Sequence, residues 1–461
     1  MKKIIIAILL IVVIFVVAVV VYLQFQKPVY SGKLKLKGLH EKVDVYFDSY
    51  GVPHIYAQNA HDAYMAFGYL QMQDRYFQME MMRRVANGRL SELLGKELVP
   101  TDKFFRSLGL KQAVERTMKT SYQQNDSMRK VMDAYVEGVN QYIQHGKTPI
   151  EFTILNIPKE KFSLSDIEMI VGYMAYTFQP AFKTDPLMTK LRARLGDKYI
   201  KDLGLDYIPC TQNIPVWTAN DTMFSFVHQV NTILKNLPTP LLVGSNSWVL
   251  SPSKTKSGRV MFSNDTHIAY SQPSVWYDAH IEYPGFSLYG QFLAGVPFAL
   301  LGHSRSTAWG LTMFLNDDLD MFREKRNSKN PNQVWFKDHW ENLKTQHEVI
   351  KVKNESDIHF DIKYSRHGSL MNESLATLDS TETNPIAVWW EYVQFPSHDM
   401  EALYNINHSH TIKDIEKGAA LIHAPGLNIM AGDSNGNIGW WASAKLFKRP
   451  AQQSGKFILD G

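Results

Sequence analysis

The chain of 461 residues has a single cysteine, Cys210, so no internal disulfide can form and a zinc cluster built on several cysteines is excluded. Cys210 lies in the stretch IPCTQNIPVW, whose Pro and Asn residues read as loop, and is taken as an incidental thiol. Runs of basic residues are also lacking, and a formal charge of +4 over this length offers nucleic acid no electrostatic footprint, so no such partner is expected. No repeat of fixed period occurs. What is present is folded material: 45% hydrophobic, 12% aromatic and 20% charged residues argue against a disordered or fibrous chain. The length exceeds that at which single cores stop growing, which calls for one very large domain or interlocked layers.

The one long apolar run is at the amino terminus. Lys2 and Lys3 precede an uninterrupted stretch from Ile4 to Leu23, long enough as a helix to cross a hydrocarbon core of about 30 Å. The exit Val-Tyr-Leu-Gln-Phe-Gln lacks the small residues of a signal-peptide cleavage site. An uncleaved anchor over residues 1–27 is therefore favoured over a secreted form, and the positive residues before the run place everything after Lys27 outside the membrane.

After the anchor, LKLKGLHEKVDVYFDSYGVPHIYA alternates apolar and polar residues and breaks at Tyr50-Gly51 and Pro53, which predicts two short strands around a turn. Ala60 to Gly95 changes to helical spacing, with Tyr64, Phe67, Leu70, Gln71, Phe77, Met81 and Met82 near one face and Gly88 and Gly95 as stops. From Thr101 to Leu203 the pattern stays helical, broken at Pro149, Pro158, Pro180 and Pro186. Residues 28–209 thus form a mostly helical region. The proline-rich residues 210–244 read as a connector, and residues 245–461 as a mostly stranded region. An α+β class follows.

Two serines compete for chemistry. Gly432-Asp433-Ser434-Asn435-Gly436 matches the G-x-S-x-G elbow, which needs a strand before the serine and a helix after it. LNIMAGDSNGNIGWWASA instead predicts a hairpin with Ser434 in its turn, so an ordinary serine esterase is the weaker reading. The other candidate is Leu242-Val243-Gly244-Ser245-Asn246-Ser247-Trp248, at the passage from connector to first strand. A serine hydroxyl in a strained, loop-held bond can attack the preceding carbonyl, which Gly244 leaves without a side chain. Ester hydrolysis would then start a new chain at Ser245. Its free α-amine, with a pKa of about 7.7–8.0, could accept the hydroxyl proton, joining nucleophile and base in one residue.

Ordered blocks surround this junction: DSYGVPHIYA with FGYLQMQDRYFQMEMMRRVANGRLSELLG, then GSNSW, SNDTH with WYDAHIEYPG and GVP, AWGLT with NDDLD, and Asn428 with DSNGNIG. From about Val43 to the last residue the chain resembles the penicillin amidase family of N-terminal nucleophile hydrolases. The resemblance implies a four-layer αββα sandwich, an autocatalytically processed amidohydrolase acting on N-acylated small molecules of penicillin or acyl-homoserine lactone type, and association of the two processed chains. It implies Ser245 as nucleophile, the backbone N–H of Met313 and the amide of Asn428 as oxyanion donors, His267 holding the new amino terminus, and Arg449 supporting the site from behind. It also implies a structural calcium on Asp317, the Leu319 carbonyl and Asp320, with Asp185 from the helical region.

Three departures stand out. Gly302-His303-Ser304 replaces the usual Gly-His-Asn, Met313 stands for a smaller residue, and the chain stops at Gly461 where the family normally continues. An alternative is a membrane-anchored binding protein that keeps the scaffold without catalysis. His408-Ser409-His410 lacks a third ligand and reads as surface loop.

Overall fold

The structure, a computed structural model, describes residues 2–124, 126–203, 242–268, 270–374, 384–450 and 453–461. Cys210 and the expected connector up to residue 241 lie outside the described residues. Helix α1 (Lys2–Gln26) is apolar from Ile4 to Leu23, unburied, and long and apolar enough to cross a bilayer. Strands β1 (Asp44–Phe47) and β2 (Pro53–Tyr56) form the expected antiparallel pair, starting later than the alternation alone indicated.

The helical region comprises α2 (Ala60–Ala86), α3 (Ser91–Leu94), α4 (Val99–Ser107), α5 (Leu110–Gln124), α6 (Asp126–His145), α7 (Ile150–Leu155), α8 (Leu164–Thr177) and α9 (Ala181–Asp202). Asn59 caps α2 by accepting from the Asp62 amide. Its predicted face is buried at Tyr64, Phe67, Leu70, Met81 and Met82, while Phe77 is only partly covered. Gln71 is buried too, donating to the Leu293 carbonyl and accepting from the Gly295 amide, so it ties helix to sheet. Helix α2 crosses α6 at two glycines: a Cβ on Gly68 would strike the Tyr135 carbonyl, and one on Gly138 the Met65 carbonyl. Pro149 and Pro180 precede helices as expected. Pro186 does not break one: it lies inside α9, and the interruption falls at Gly196, whose φ of 80° suits glycine.

The stranded region runs through β3 (Leu242–Leu250), β4 (Met261–Ile268), β5 (Trp276–Tyr283), β6 (Phe286–Leu293), β7 (Leu301–Ser304), β8 (Thr307–Met313) and β9 (Leu319–Arg323). It continues through β10 (Gln333–Phe336), β11 (His339–Asn342), β12 (Lys344–Ile350), β13 (Ile358–Ser365), β14 (Gly368–Leu370) and β15 (Ile386–Trp390). Helices α10 (Glu391–Gln394), α11 (Asp399–Asn407) and α12 (Ile412–Ala419) interrupt it before β16 (Leu427–Asp433), β17 (Ile438–Ser443) and β18 (Leu459–Asp460). Those three helices were not anticipated; in particular IAVWWEYV stops being a strand at Trp390. His408 closes α11 rather than lying in a surface loop, with Nδ1 on the Tyr404 carbonyl and Nε2 near the Tyr283 hydroxyl.

An eight-stranded sheet has the order β1-β2-β5-β6-β7-β8-β16-β17, antiparallel except for β2 and β5, and a six-stranded sheet has the order β12-β13-β14-β15-β9-β18. Along β8 and β16 the residues Trp309, Leu311, Ile429 and Ala431 point into the core shared with the helices. The alternate residues point the other way, where the hairpin of β3 and β4 lies: a Cβ on Gly310 would meet Phe262 and Asn264, and one on Gly432 would meet Val249 and Val260. The stack is therefore helices, eight-stranded sheet, hairpin. The mixed α+β class holds; the hairpin that covers this face of the eight-stranded sheet has two strands, with Trp248, Leu250 and Met261 exposed on its outer side.

Candidate active site

Ser245 sits inside β3, opposite Thr266 of β4, and Gly244 lies opposite His267. The Gly244–Ser245 bond is thus part of a strand, not of the loop the sequence led us to expect, because pairing already begins at Leu242. The register slips between Leu242 and Gly244, where two steps on β3 face one on β4. Such a bulge locally disrupts the ladder and re-aims the side chains that follow. The Gly244–Ser245 bond follows it directly. A Cβ added to Gly244 would touch only the His267 Nδ1, at 3.6 Å.

Alternation along β3 turns Ser245 toward the eight-stranded sheet. There its Oγ accepts from the backbone N–H of Met313, the last residue of β8, at 3.2 Å. Asn428 faces Thr312 across β8 and β16, and its Nδ2 donates to the Met313 carbonyl at 3.1 Å. The Oδ1 of the same amide accepts from the indole Nε1 of Trp440 at 3.0 Å. Ser245, Met313 and Asn428 are thereby brought together. Trp440 is the participant that sequence reasoning missed; two tryptophans in a returning strand signalled β structure, and nothing in the pattern distinguished the one that touches Asn428.

His267 belongs to the outer side of the hairpin, with Nε2 3.0 Å from Asp265 Oδ2 and 3.3 Å from Asn246 Nδ2. It flanks Gly244, the carbonyl side of the bond, and among the described residues its bonds include no contact with the serine hydroxyl. Ser434 is exposed in the turn between β16 and β17, where Asp433 Oδ1 accepts the amides of Asn435 and Asn437 and a strand follows. The elbow geometry is absent.

Arg449 lies among the acidic residues to which the resemblance assigns calcium. Its Nε and Nη2 donate to Asp320 at 2.9 Å, and Nη2 also donates to the Asp317 carbonyl at 3.0 Å. Asp185 joins this group: burial, followed by the nearby Asp317 and Asp320, pushes its carboxyl well above the usual range. Among the described residues its Oδ2 is buried with no hydrogen-bond partner. Asp317 and Asp320 are raised as well, first by burial. Leu319 begins β9 opposite Trp390, its side chain in the core. An unsatisfied buried carboxylate beside two others is a donor set suited to a hard cation, with Arg449 compensating part of the charge.

A profile of the penicillin amidase family matches residues 42–461. The acyl-homoserine lactone acylase QuiP of Pseudomonas aeruginosa is 25% identical over 452 residues, covering 94% of this chain and 52% of that protein. Penicillin acylase 2 proenzyme of Pseudomonas sp. strain SE83 is 27% identical, over 93% of this chain and 56% of its own length. Penicillin G acylase of Escherichia coli is 24% identical, over 90% and 54%. The chain spans about half the length of these relatives. Among solved structures, the thermostable penicillin G acylase from Alcaligenes faecalis in its orthorhombic form aligns over 47% of this chain and 38% of that one, at 23% identity and a TM-score of 0.43.

Proposed function

The chain belongs to the penicillin amidase family, and from that premise we propose that it is the precursor of an amidohydrolase that opens its own Gly244–Ser245 bond and then hydrolyses N-acylated small molecules with Ser245. The observation that carries the reading is the 3.2 Å donation from the Met313 N–H to the Ser245 hydroxyl. A backbone donor beside the attacking oxygen is the arrangement acyl transfer needs. A donor of this kind is worth about 3 kcal/mol when aimed at a developing oxyanion.

In maturation, Ser245 Oγ bonds to the Gly244 carbonyl carbon, the Gly244–Ser245 C–N bond breaks, and the hydroxyl proton passes to the Ser245 nitrogen. Water then cleaves the ester, leaving the Gly244 carboxylate and a free Ser245. In turnover the new α-amine takes the hydroxyl proton as Oγ attacks the substrate acyl carbon, then gives it to the departing amine. Water releases the acid. Met313 N–H and the Asn428 amide stabilise the oxyanion in both steps, and His267, opposite Gly244, lies beside the position of the new amine. The substrate class is shared with relatives named for penicillins and for acyl-homoserine lactones.

The fold reading goes with this: the hairpin is the start of the second sheet of a four-layer αββα sandwich, and residues 1–27 anchor the mature protein with its catalytic part outside the cell membrane. Asp185, Asp317, the Leu319 carbonyl and Asp320 hold calcium, which supplies the positive charge that their burial otherwise leaves partly unmet. Mass spectrometry of the protein expressed at its natural length tests the proposal. A fragment beginning at Ser245 is expected, lost in Ser245→Ala and retained in Ser434→Ala. A wild type that never yields that fragment overturns the reading.

A further inference from the structure

His40 lies in the segment between α1 and β1, and His61 and Asp62 in the first turn of α2. The three converge. Asp62 is fully buried and its carboxylate is fixed by the chain around it: Oδ1 accepts the His40 amide at 3.0 Å, and Oδ2 accepts the Glu41 amide and the Asn59 Nδ2, each at 2.8 Å. Those contacts explain Asp62 as a clamp joining the segment to the helix. They do not explain why two imidazoles meet at the same oxygen. His61 Nδ1 is 2.9 Å and His40 Nδ1 3.9 Å from Asp62 Oδ1, and the two rings stack at 4.3 Å between centroids, 17° from parallel.

We propose that His40, His61 and Asp62 form a binding site for a borderline divalent metal of the zinc class, in which two Nδ1 atoms and one carboxylate oxygen leave a fourth position open to water. A tetrahedral zinc with bonds of about 2.0–2.2 Å sets its ligand atoms about 3.3–3.5 Å apart. The observed 2.9 and 3.9 Å bracket that spacing. The adjustable member is His40, whose side chain is 65% exposed, against 32% for His61 and none for Asp62. Turning the His40 ring out of the stack directs its lone pair at the shared oxygen's neighbourhood without moving the backbone. Nitrogen ligands separate this site from the all-oxygen cluster at Asp185, which suits a hard cation. A metal here would fasten the segment leading from α1 to the start of α2, adding its binding free energy to the folded state.

The test uses the full chain in detergent with calcium in excess, titrated with zinc against a chromogenic chelator. About one zinc per chain is expected at this site. His40→Ala and His61→Ala, which leave the backbone donors to Asp62 in place, should each weaken binding by about tenfold or more. His54→Ala and His280→Ala serve as controls for the other close histidine pair, whose Nδ1 atoms are 3.2 Å apart, and should not change it. Cobalt in place of zinc gives a second readout: visible bands of a tetrahedral ion in the wild type, and in His61→Cys an added sulfur-to-cobalt band. Failure of the wild type to compete with the chelator, loss that follows His54 or His280 instead, or no sulfur band in a folded His61→Cys each overturns the proposal. None of these readouts depends on processing at Ser245.

Discussion

The backbone N–H of Met313 donates to the hydroxyl of Ser245 at 3.2 Å, joining the end of a strand in the large sheet to the third-layer hairpin. Strand β8 ends at this residue, and the next amide, of Phe314, turns back to the Gly426 carbonyl. Leu315 then takes a positive φ of 55°, which carries the chain away. The donor is therefore presented by a strand terminus, where the N–H is free to serve a partner outside its own ladder.

Substitution of Gly244 separates space from chemistry. An added methyl group would meet only His267 Nδ1 at 3.6 Å, an ordinary contact. Gly244→Ala should fold with a stability within about 1 kcal/mol of the wild type. Cleavage should be slowed but not stopped, because the bulge and the Met313 donor remain. Time courses of the Ser245-starting fragment by mass spectrometry, alongside thermal melts, check both statements; an uncut Gly244→Ala with an unchanged melt would mean that glycine is required at the attacked carbonyl.

The helical region and the hairpin of β16 and β17 were legible because their signals are local. Period, glycine stops and an Asn-Gly turn place α2 and Ser434 without reference to the rest of the chain. Ser245 is singled out by the Gly-Ser junction at the end of the connector, Met313 and Asn428 only by the resemblance, and the structure brings the three together across strands far apart in sequence. The partners of Arg449, Asp317 and Asp320, had no local signal, because they are set by which loop the folded chain brings near. The loop assumed at Gly244 failed for a similar reason, since strand pairing with β4 overrides the local proline content upstream. Trp440 and the pairing of His40 with His61 are tertiary facts with no periodic signature.

Trp440 fixes which way the Asn428 amide faces. An indole can only donate, so its bond to Oδ1 leaves Nδ2 on the Met313 side. Asn428→Asp replaces the donor with an acceptor and should lower kcat of the processed enzyme by about 10²–10³. Trp440→Phe removes one orienting hydrogen bond, worth about 0.5–1.5 kcal/mol, and should lower kcat by up to about tenfold. KM for a chromogenic N-acyl amide should move little in both. A Trp440→Phe enzyme that loses KM but keeps kcat would make the indole a substrate contact instead.

Calcium removal is the direct test of the acidic cluster. With Asp185 buried and Asp317 and Asp320 nearby, a bound cation should stabilise the fold, and chelation should lower the melting temperature. Asp185→Asn removes the carboxylate that burial makes costly to keep ionised. Its melting temperature should then be insensitive to chelator. Should the wild type melt at one temperature with and without calcium, Arg449, with Lys456 near Asp317, balances the aspartates without a bound cation.

Glu168 predicts a pH dependence of known sign. Burial, against the hydrogen bond from the Tyr122 hydroxyl, raises its carboxyl to about 7. The unfolded group titrates near its ordinary value of 4.5. Between those values the native state binds the proton that the unfolded state has lost, so the contribution of Glu168 to stability is fully present below about 4.5 and is lost as pH rises through about 7. The span amounts to a few kcal/mol, about 1.4 per pKa unit. Glu168→Gln should remove this slope, measured by urea unfolding across the range. His408 acts oppositely: burial lowers it to about 4, so its contribution is lost as pH falls from about 6.5, and His408→Phe should flatten that acid limb.

The crossing of α2 and α6 gives the most stringent packing test. Gly68 and Gly138 allow the two helix backbones to approach so closely that a Cβ on either would overlap a carbonyl oxygen of the other helix. Backbone cannot yield as a flexible side chain would, so the helices must separate, opening the layer that holds Tyr64 and Tyr135 against the sheet. Gly138→Ala gains about 1 kcal/mol of helix propensity. Forced separation should cost about 1–3 kcal/mol or more. A net loss of stability is therefore expected by chemical denaturation, and Gly68→Ala should behave alike. The two substitutions together should cost less than their sum, because one displacement relieves both contacts.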